Sequence, residues 1–416
     1  ALLAFAAVAG QASAAGFQLL EQNASGIGNA YAGSAAVAEN ASTIFFNPAG
    51  MTQLQAREAS VGLSLVRPTF KFSNQGSSTG ALSGSGTGND AGSWAFIPNG
   101  YLSWGLSKDL YVGVGFGAPF GLVTEYDNPW LGGAQAIKFD IKTYNINPSV
   151  AYRINDKVSV GGGLNYQRME AEYVRLATVT SAALAATRVT LDAGNNAWGW
   201  NVGALFTLSP STKVGVSYRS KIKHELKGDL SFSGPAAGVA PTLTTGSAKA
   251  SVDLPDTFIL SVVQNLNDKW EMLGDISWTG WSSIPKVDIV RTSGILSGGT
   301  VQTLDTHFRD TWRYALGANY RLSDMVKLKF GVAYDQTPVP DAQHRLVSLP
   351  DNNRTWFSAG AQIKVAKGSV LDLGAAYLNV PESRVDNNQT LLGRGRVTGA
   401  YDARVWIMGA QYSMAF

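Results

Sequence analysis

The chain has 416 residues, of which 46 are glycine, 10% are aromatic and only 15% are charged, and its formal net charge is +3 at pH 7. The charged fraction lies below the roughly 25% of soluble domains, and so small a net charge gives no broad attraction to nucleic acid. Because the sequence contains no cysteine, thiol catalysis, zinc–thiolate sites and disulfide frameworks are excluded.

The first residues have the pattern of an export signal. Residues 1–14 are apolar and end in the small-x-small pattern Ala12-Ser13-Ala14, although a basic leading region is missing. The stretch is too short to cross a bilayer, and no later segment offers the ~20 consecutive apolar residues that a membrane helix needs. We predict a partial signal peptide over residues 1–14, and a buried helix of a soluble domain is the alternative.

The segment 15–54 differs from everything that follows, because it lacks period-2 alternation and is rich in Gly, Ala, Asn and Ser. Pro48 has no N–H and cannot sit in a central ladder, and Asn47 before it is pushed to an extended or turn conformation. We therefore predict a plug, or hatch, over residues 15–54. An ordinary irregular N-terminus with one β-turn is the alternative.

Strand patterns fill residues 55–416, with brief polar turns alternating with long loops. This asymmetry is typical of outer-membrane barrels, and the hairpins count to about fourteen antiparallel strands, whose lumen is wide enough to need a plug. The last strand illustrates the faces, because Trp406, Met408 and Tyr412 share one parity while Gln411 and Ser413 share the other. The fold class is all-β: an antiparallel transmembrane β-barrel with an N-terminal hatch in its lumen.

One barrel strand contains a break. The third strand meets Ala118, Pro119, Phe120 and Gly121 before it reaches its outer loop. Pro119 removes a ladder donor and Gly121 marks a bend, so we predict a kink that opens the wall sideways. The alternative is that Pro119 already lies in the loop.

No residue pattern points to catalysis or to a metal. The three histidines, His224, His307 and His344, have no metal-ligand spacing, and no serine lies in a G-x-S-x-G elbow. An outer-membrane phospholipase remains an alternative, because it needs only a serine and a histidine on neighbouring strands, and the sequence does not show which strands are neighbours. We predict no catalytic residue, no metal and no cofactor.

Several motifs resemble the long-chain fatty-acid outer-membrane transporter (FadL) family. They span the mature chain and are listed together: Ala15-Gly16-Phe17-Gln18-Leu19, Ser25-Gly26-Ile27-Gly28, Asn47-Pro48-Ala49, Tyr166 with Arg168, and Asp335-Gln336-Thr337-Pro338-Val339-Pro340. The resemblance implies a fourteen-stranded barrel, an N-terminal hatch and a kinked third strand with a lateral opening. It also implies uptake of hydrophobic molecules through that opening, with the hatch rearranging on binding.

The resemblance also implies a ligand site. The family's carboxylate-binding arginine corresponds to Arg175, whose parity matches the interior face, and the matching lysine lies at or one place from Lys286. A pocket serine of the family corresponds to Ala118, which is a departure from the pattern. Phe17 would sit near the ligand, with Phe45, Phe46, Asn47, Pro48 and Ala49 as the other pocket or hatch residues.

We therefore expect a passive transporter of the bacterial outer membrane that takes up long-chain fatty acids or similar hydrophobic compounds. Its expected surroundings are outer-membrane lipid and lipopolysaccharide, and we expect a monomer. Two alternatives remain open at this point: an aromatic-hydrocarbon channel of the same family, and a general polar porin.

Overall fold

A computed structural model describes residues 16–80, 83–179, 181–294 and 296–416, so the predicted signal peptide lies outside the described residues. Among the described residues no helix is long and apolar enough to cross a membrane. The long strands instead pair in antiparallel order with their neighbours along the chain, and the first pairs with the last from Glu58↔Ala415 to Asn74↔Gly399. The predicted closed barrel is confirmed.

The barrel consists of fourteen strands, several of which are divided into two segments by a bend or loop. They run over Arg57–Asn74, Ala95–Gly105, Leu110–Gly117 with Gly121–Glu125, Lys138–Asn155, Val158–Leu176, Arg188–Ser209, Thr212–Arg219 with Ile222–Ser233, Gly246–Leu254 with Thr257–Asn265, Trp270–Thr279 with Val287–Arg291, Thr300–Leu304 with Thr311–Arg321, Val326–Asp335, Arg354–Ala366, Ser369–Asn379 with Ser383–Asn388, and Gly395–Ala415.

A short strand, Ser78–Thr79, pairs with the last barrel strand. In the described parts of the long loops there are four single-turn 3-10 helices: Ala182–Leu184, Pro241–Leu243, Trp281–Ser283 and Thr390–Leu392.

The two faces of the strands are sorted as the alternation predicts. In the last strand Trp406 and Met408 are exposed, whereas Ile407 and Gln411 between and beyond them are buried. Exposed aromatic and aliphatic side chains of this kind suit a hydrocarbon surround, and the polar partners on the other face point into the lumen. The wall is thus built for a membrane outside and a filled interior.

The N-terminal segment lies inside the barrel. It contains three short helices, Ile27–Asn29, Thr43–Phe46 and Pro48–Gln53. The first of them contacts strands ten to fourteen, and the third contacts strands three to six on the other side. Asn47 has the extended backbone expected before proline (φ −158°), and its side-chain amide donates to the carbonyls of Ala35 and Ala204. This segment therefore crosses the lumen from wall to wall.

Glycines on the inner face of the wall make room for this segment. A Cβ added at Gly215 would lie 1.9 Å from the carbonyl oxygen of Ala35, and one added at Gly331 would lie 2.1 Å from the carbonyl carbon of Asn29. Contacts that short are impossible for any larger residue, so the close approach of hatch backbone to wall backbone requires glycine.

An ion cluster ties the same segment to the wall. Lys329, whose side chain is 1% exposed, lies 2.5 Å from Glu39 of the hatch and 3.0 Å from Asp372 of the thirteenth strand, and it donates to the carbonyl of Ser25. Gln362 donates to both carboxylates. A buried cation between two carboxylates links hatch and wall through charge-assisted hydrogen bonds.

Candidate ligand-binding site

The third strand is interrupted at the residues that the sequence marks. Its segments Leu110–Gly117 and Gly121–Glu125 both pair with the fourth strand, but Gly117 stands opposite Asn145 while Gly121 stands opposite Lys142. Three residues of the third strand, Ala118, Pro119 and Phe120, therefore lie opposite only two residues of the fourth strand. One extra residue without regular pairing is the definition of a bulge, which bends the strand.

The bent stretch is paired mainly to the hatch, and Phe120 is also bonded to the wall through the side chain of Thr143. The amide of Leu19 donates to the carbonyl of Pro119, and the amide of Gly121 donates to the carbonyl of Phe17. The N···O distance is 2.8 Å in both hydrogen bonds. The carbonyl of Ala118 accepts from the side chain of Gln22. Phe17, Leu19 and Gln22 of the hatch thus take over hydrogen bonds that a neighbouring strand would have made.

The bend leaves a gap in the barrel wall. Residues 95–99 of the second strand pair with the first strand, but the ladder to the third strand begins only at Gly100↔Phe116 within the described chain. On the outer side the gap ends where the amide of Glu125 donates to the carbonyl of Ala91. We call this interruption of the strand pairing between residues 95–99 and 118–124 the wall gap. Its inner side is covered by the hatch.

An apolar cavity of about 650 Å³ lies above the hatch, toward the long loops. Phe17 forms part of its lining, together with Phe139, Met169 and Tyr173 of the wall and with Phe308 and Leu346 of the loops. This volume includes space open to solvent, and concave sites with a predominantly apolar lining are the usual form of small-molecule sites.

Three aromatic rings separate this cavity from a second one. The ring centroid of Phe17 lies 5.0 Å from that of Trp281 and 5.9 Å from that of Phe120. On the other side of Trp281 a more polar cavity of about 700 Å³ is lined by Phe45, Phe46, Arg219 and other residues. Phe17 and its two partners form the partition between the two spaces.

Arg175 lies buried on the inner face of the fifth strand, near the apolar cavity along the chain but outside the residues that line it. It shares the inward parity with Tyr173 of the lining, two residues earlier, and its guanidinium donates to the carbonyls of Leu176 and Val301. Arg394 is equally buried and donates to the same carbonyl of Val301, at an N···O distance of 3.1 Å.

Neither of these guanidinium groups forms an ion pair with a carboxylate in the described parts of the chain. Burial lowers the pKa of Arg394 from its ordinary value, while the Nε of Arg394 is buried without a hydrogen-bond partner. Two adjacent buried cations without a counter-ion are costly, and an anion would relieve that cost.

Lys286 lies apart from these two arginines, so the geometry gives no support to its predicted role as a carboxylate ligand, which stays a prediction. Its side chain is 60% exposed, and its ammonium group lies 2.8 Å from the carboxylate of Asp288. The hydrogen bond to Asp288 raises the pKa of Lys286. Val287 and Ile289 line the cavity, so Lys286 and Asp288 lie on the opposite, outward face of this segment. The family's lysine position was matched to this sequence only to within one residue. A shift of one residue moves a side chain from one face of a strand to the other.

The remaining predicted residues fall into two groups. Phe45 and Phe46 line the second, more polar cavity. The guanidinium carbon of Arg219 lies 4.1 Å from the ring centroid of Phe45. Asn47, Pro48 and Ala49 line neither cavity; they hold the hatch against the fifth and sixth strands. Arg394 was missed, because nothing in its loop sequence distinguishes it from a solvated arginine.

Known proteins share this architecture and much of this sequence. The family described as "Outer membrane protein transport protein (OMPP1/FadL/TodX)" matches residues 5–416. The long-chain fatty acid transport protein of Escherichia coli (strain K12) is 28% identical over 450 residues, covering 100% of this chain and 97% of that protein. The 47 kDa outer membrane protein of Pasteurella multocida is 34% identical over 396 residues, covering 90% of each.

Solved structures agree. A Pseudomonas aeruginosa FadL homologue superimposes with a TM-score of 0.88 at 25% identity, covering 96% of this chain and 99% of that one. The Pseudomonas putida toluene transporter TodX superimposes with a TM-score of 0.71 at 16% identity, covering 97% and 100%, and shows the shared fold alone. The family consists of transport proteins and not of enzymes, and its members lie in the outer membrane. This chain belongs to the OMPP1/FadL/TodX family of outer-membrane transport proteins.

Proposed function

We propose that this protein takes up long-chain fatty acids, or monocarboxylates of similar hydrophobicity, across the outer membrane without an energy source. The observation that carries the proposal is the apolar cavity together with two buried arginines, Arg175 and Arg394, of which Arg175 lies two residues beyond Tyr173 of the cavity lining. Each part matches one half of an amphipathic ligand.

The apolar half gains free energy by burial. An acyl chain gains about 0.8 kcal/mol for each methylene removed from water, so a chain of about ten methylenes gains about 8 kcal/mol before the cost of its ordering. The lining of phenylalanine, methionine, leucine and isoleucine side chains provides this environment. A short or strongly polar solute gains little from it.

The carboxylate half is matched by the arginines. A guanidinium presents several N–H donors in a planar fork that fits a carboxylate, and two such forks with only carbonyl and amide partners have donors to spare. The pair favours an anionic headgroup over a neutral hydrocarbon. This is the reason to prefer fatty acids to the aromatic compounds named for TodX.

Release is proposed to be lateral, through the wall gap. Phe17 lines the cavity with its ring while its carbonyl holds Gly121 at the edge of the gap. A ligand that displaces the Phe17 ring would therefore also loosen the hydrogen bonds at Gly121 and Pro119. The ligand then reaches the hydrocarbon of the membrane without crossing a polar passage.

The carboxylate contact is tested with Arg175→Ala, Arg394→Ala and the double variant. We expect weaker oleate binding in each single variant, because hydrogen bonds to charged groups contribute about 1.5–3 kcal/mol, or roughly 10- to 150-fold in affinity. Binding of the uncharged methyl ester should change much less. Lys286→Ala is the matched control and should leave oleate binding as it is.

Unchanged oleate binding in the double variant would refute the carboxylate contact. Uptake of toluene without uptake of oleate would instead favour the hydrocarbon alternative. A steady open pore in planar bilayers would favour the general porin.

The exit is tested by removing the extra residue. Deletion of Pro119 leaves two residues opposite two on the fourth strand, which restores regular register across the bend. We expect oleate uptake to fall to background while oleate binding persists. Deletion of Gly298, a loop glycine with open space around it, is the control. Full uptake by the Pro119 deletion would exclude the wall gap as the route.

A further inference from the structure

The fold brings together two of the three histidines, although their sequence positions show no metal-ligand spacing. The rings of His307 and His344 stack with centroids 4.3 Å apart, and Nε2 of His307 lies 3.0 Å from Oδ1 of Asp305. One potential ligand atom from each of Asp305, His307 and His344 lies within 4.8 Å of the others. This cluster lies outside the site described above.

We propose that Asp305, His307 and His344 form a binding site for a borderline divalent transition-metal ion, of which Zn²⁺ is the representative. Two imidazoles and one carboxylate are a donor set typical of such ions, and water would complete the coordination. Hard ions such as Mg²⁺ and Ca²⁺ prefer an all-oxygen set and fit poorly here.

The orientation of His344 supports this assignment. Its Nδ1 lies 2.8 and 3.0 Å from the two carboxylate oxygens of Asp341, so a proton on Nδ1 is shared with Asp341 and Nε2 is left as the ligand atom. A carboxylate behind a ligating imidazole fixes its tautomer and raises its basicity.

The backbone holds the two loops in place for the same site. His307 has a left-handed backbone (φ 46°), uncommon outside glycine, and its amide donates to the carbonyl of Pro285. The side chain of Thr306 donates to the carbonyl of Ile284, and the amide of Arg309 donates to the carbonyl of Pro338. The ligands on each loop therefore need only side-chain rotations to close on an ion.

The site has a defined position relative to the cavity. Phe308 follows His307 directly and lines the apolar cavity, as does Leu346 two residues after His344. An ion that bridges His307 and His344 would fasten together two loops that roof this cavity. The metal site stands independently of the identity of the transported molecule.

The test is a zinc titration of the full protein in detergent micelles, purified with a tag that lacks histidine and stripped with a chelator. We expect one Zn²⁺ per chain, loss of that binding in His307→Ala and in His344→Ala, and binding weakened about 10- to 100-fold in Asp341→Asn. Cu²⁺ loaded at the same site should show two imidazole nitrogens in its electron paramagnetic resonance spectrum. Millimolar Mg²⁺ should not displace the zinc.

Two matched controls separate the site from general binding. His224→Gln removes the remaining histidine, which is buried and bonded to Gln167, and Asp288→Asn removes a partly exposed carboxylate that pairs with Lys286. Both should bind zinc like the parent protein. Equal zinc affinity in the parent, His307→Ala and His344→Ala, or displacement by Mg²⁺, would overturn the proposal.

Discussion

Replacement of Lys329 by methionine should release the hatch from the wall. The substitution removes the cation, which leaves Asp372 buried without an ion-pair partner and leaves the partly buried Glu39 with the more distant Lys327 at 3.7 Å. Removal of one member of a buried ion pair costs about 3–5 kcal/mol. Because 1.4 kcal/mol corresponds to a factor of ten, the fraction of molecules with an undocked hatch should rise about 150- to 4,000-fold.

The absence of cysteine from the sequence makes the assay direct. A single cysteine at Ala41, a fully buried hatch position two residues from Glu39, reacts with a maleimide only when the hatch opens. When opening and closing are fast, the labelling rate follows the open population. The ratio of rates with and without Lys329→Met therefore measures the free energy of the anchor.

Lys327 supplies the matched control, because it lies on the same strand, 3.7 Å from the same Glu39, but its side chain is 33% exposed. Partly exposed ion pairs contribute about 0–1 kcal/mol, so Lys327→Met should accelerate labelling by no more than about fivefold. The reasoning is refuted if Lys329→Met labels at the parent rate, or if both lysine variants behave alike.

Two further predictions concern the fit between hatch and wall. Gly215→Val should prevent docking, since its Cβ would overlap the carbonyl of Ala35, whereas Gly274→Val, at a glycine with open space around it, should dock normally; the same labelling assay measures both. Phe17→Ala should join the two cavities and raise ion conductance in planar bilayers, whereas Phe357→Ala on the exposed face should not, and equal conductance in the two would contradict the partition.

Much of the architecture follows from local sequence pattern. Period-2 alternation, short turns and long loops indicate the barrel because side-chain direction in a strand depends only on the parity of the position. Pro48 marks the segment that cannot be a strand, and Pro119 with Gly121 marks the break in the third strand, because proline removes a hydrogen-bond donor wherever it stands. Arg175 could be placed on the inner face by the same counting.

Other features depend on how distant segments meet, and only the tertiary structure decided them. Lys286 shows how a one-residue slip, invisible in composition, moves a side chain from the inside of the wall to the outside. Arg394 joins Arg175, and His307 meets His344, because barrel closure brings separate loops over one cavity. Strand pattern is a local property and can be read from the chain, whereas the encounter of loop side chains depends on the closed shape of the whole molecule.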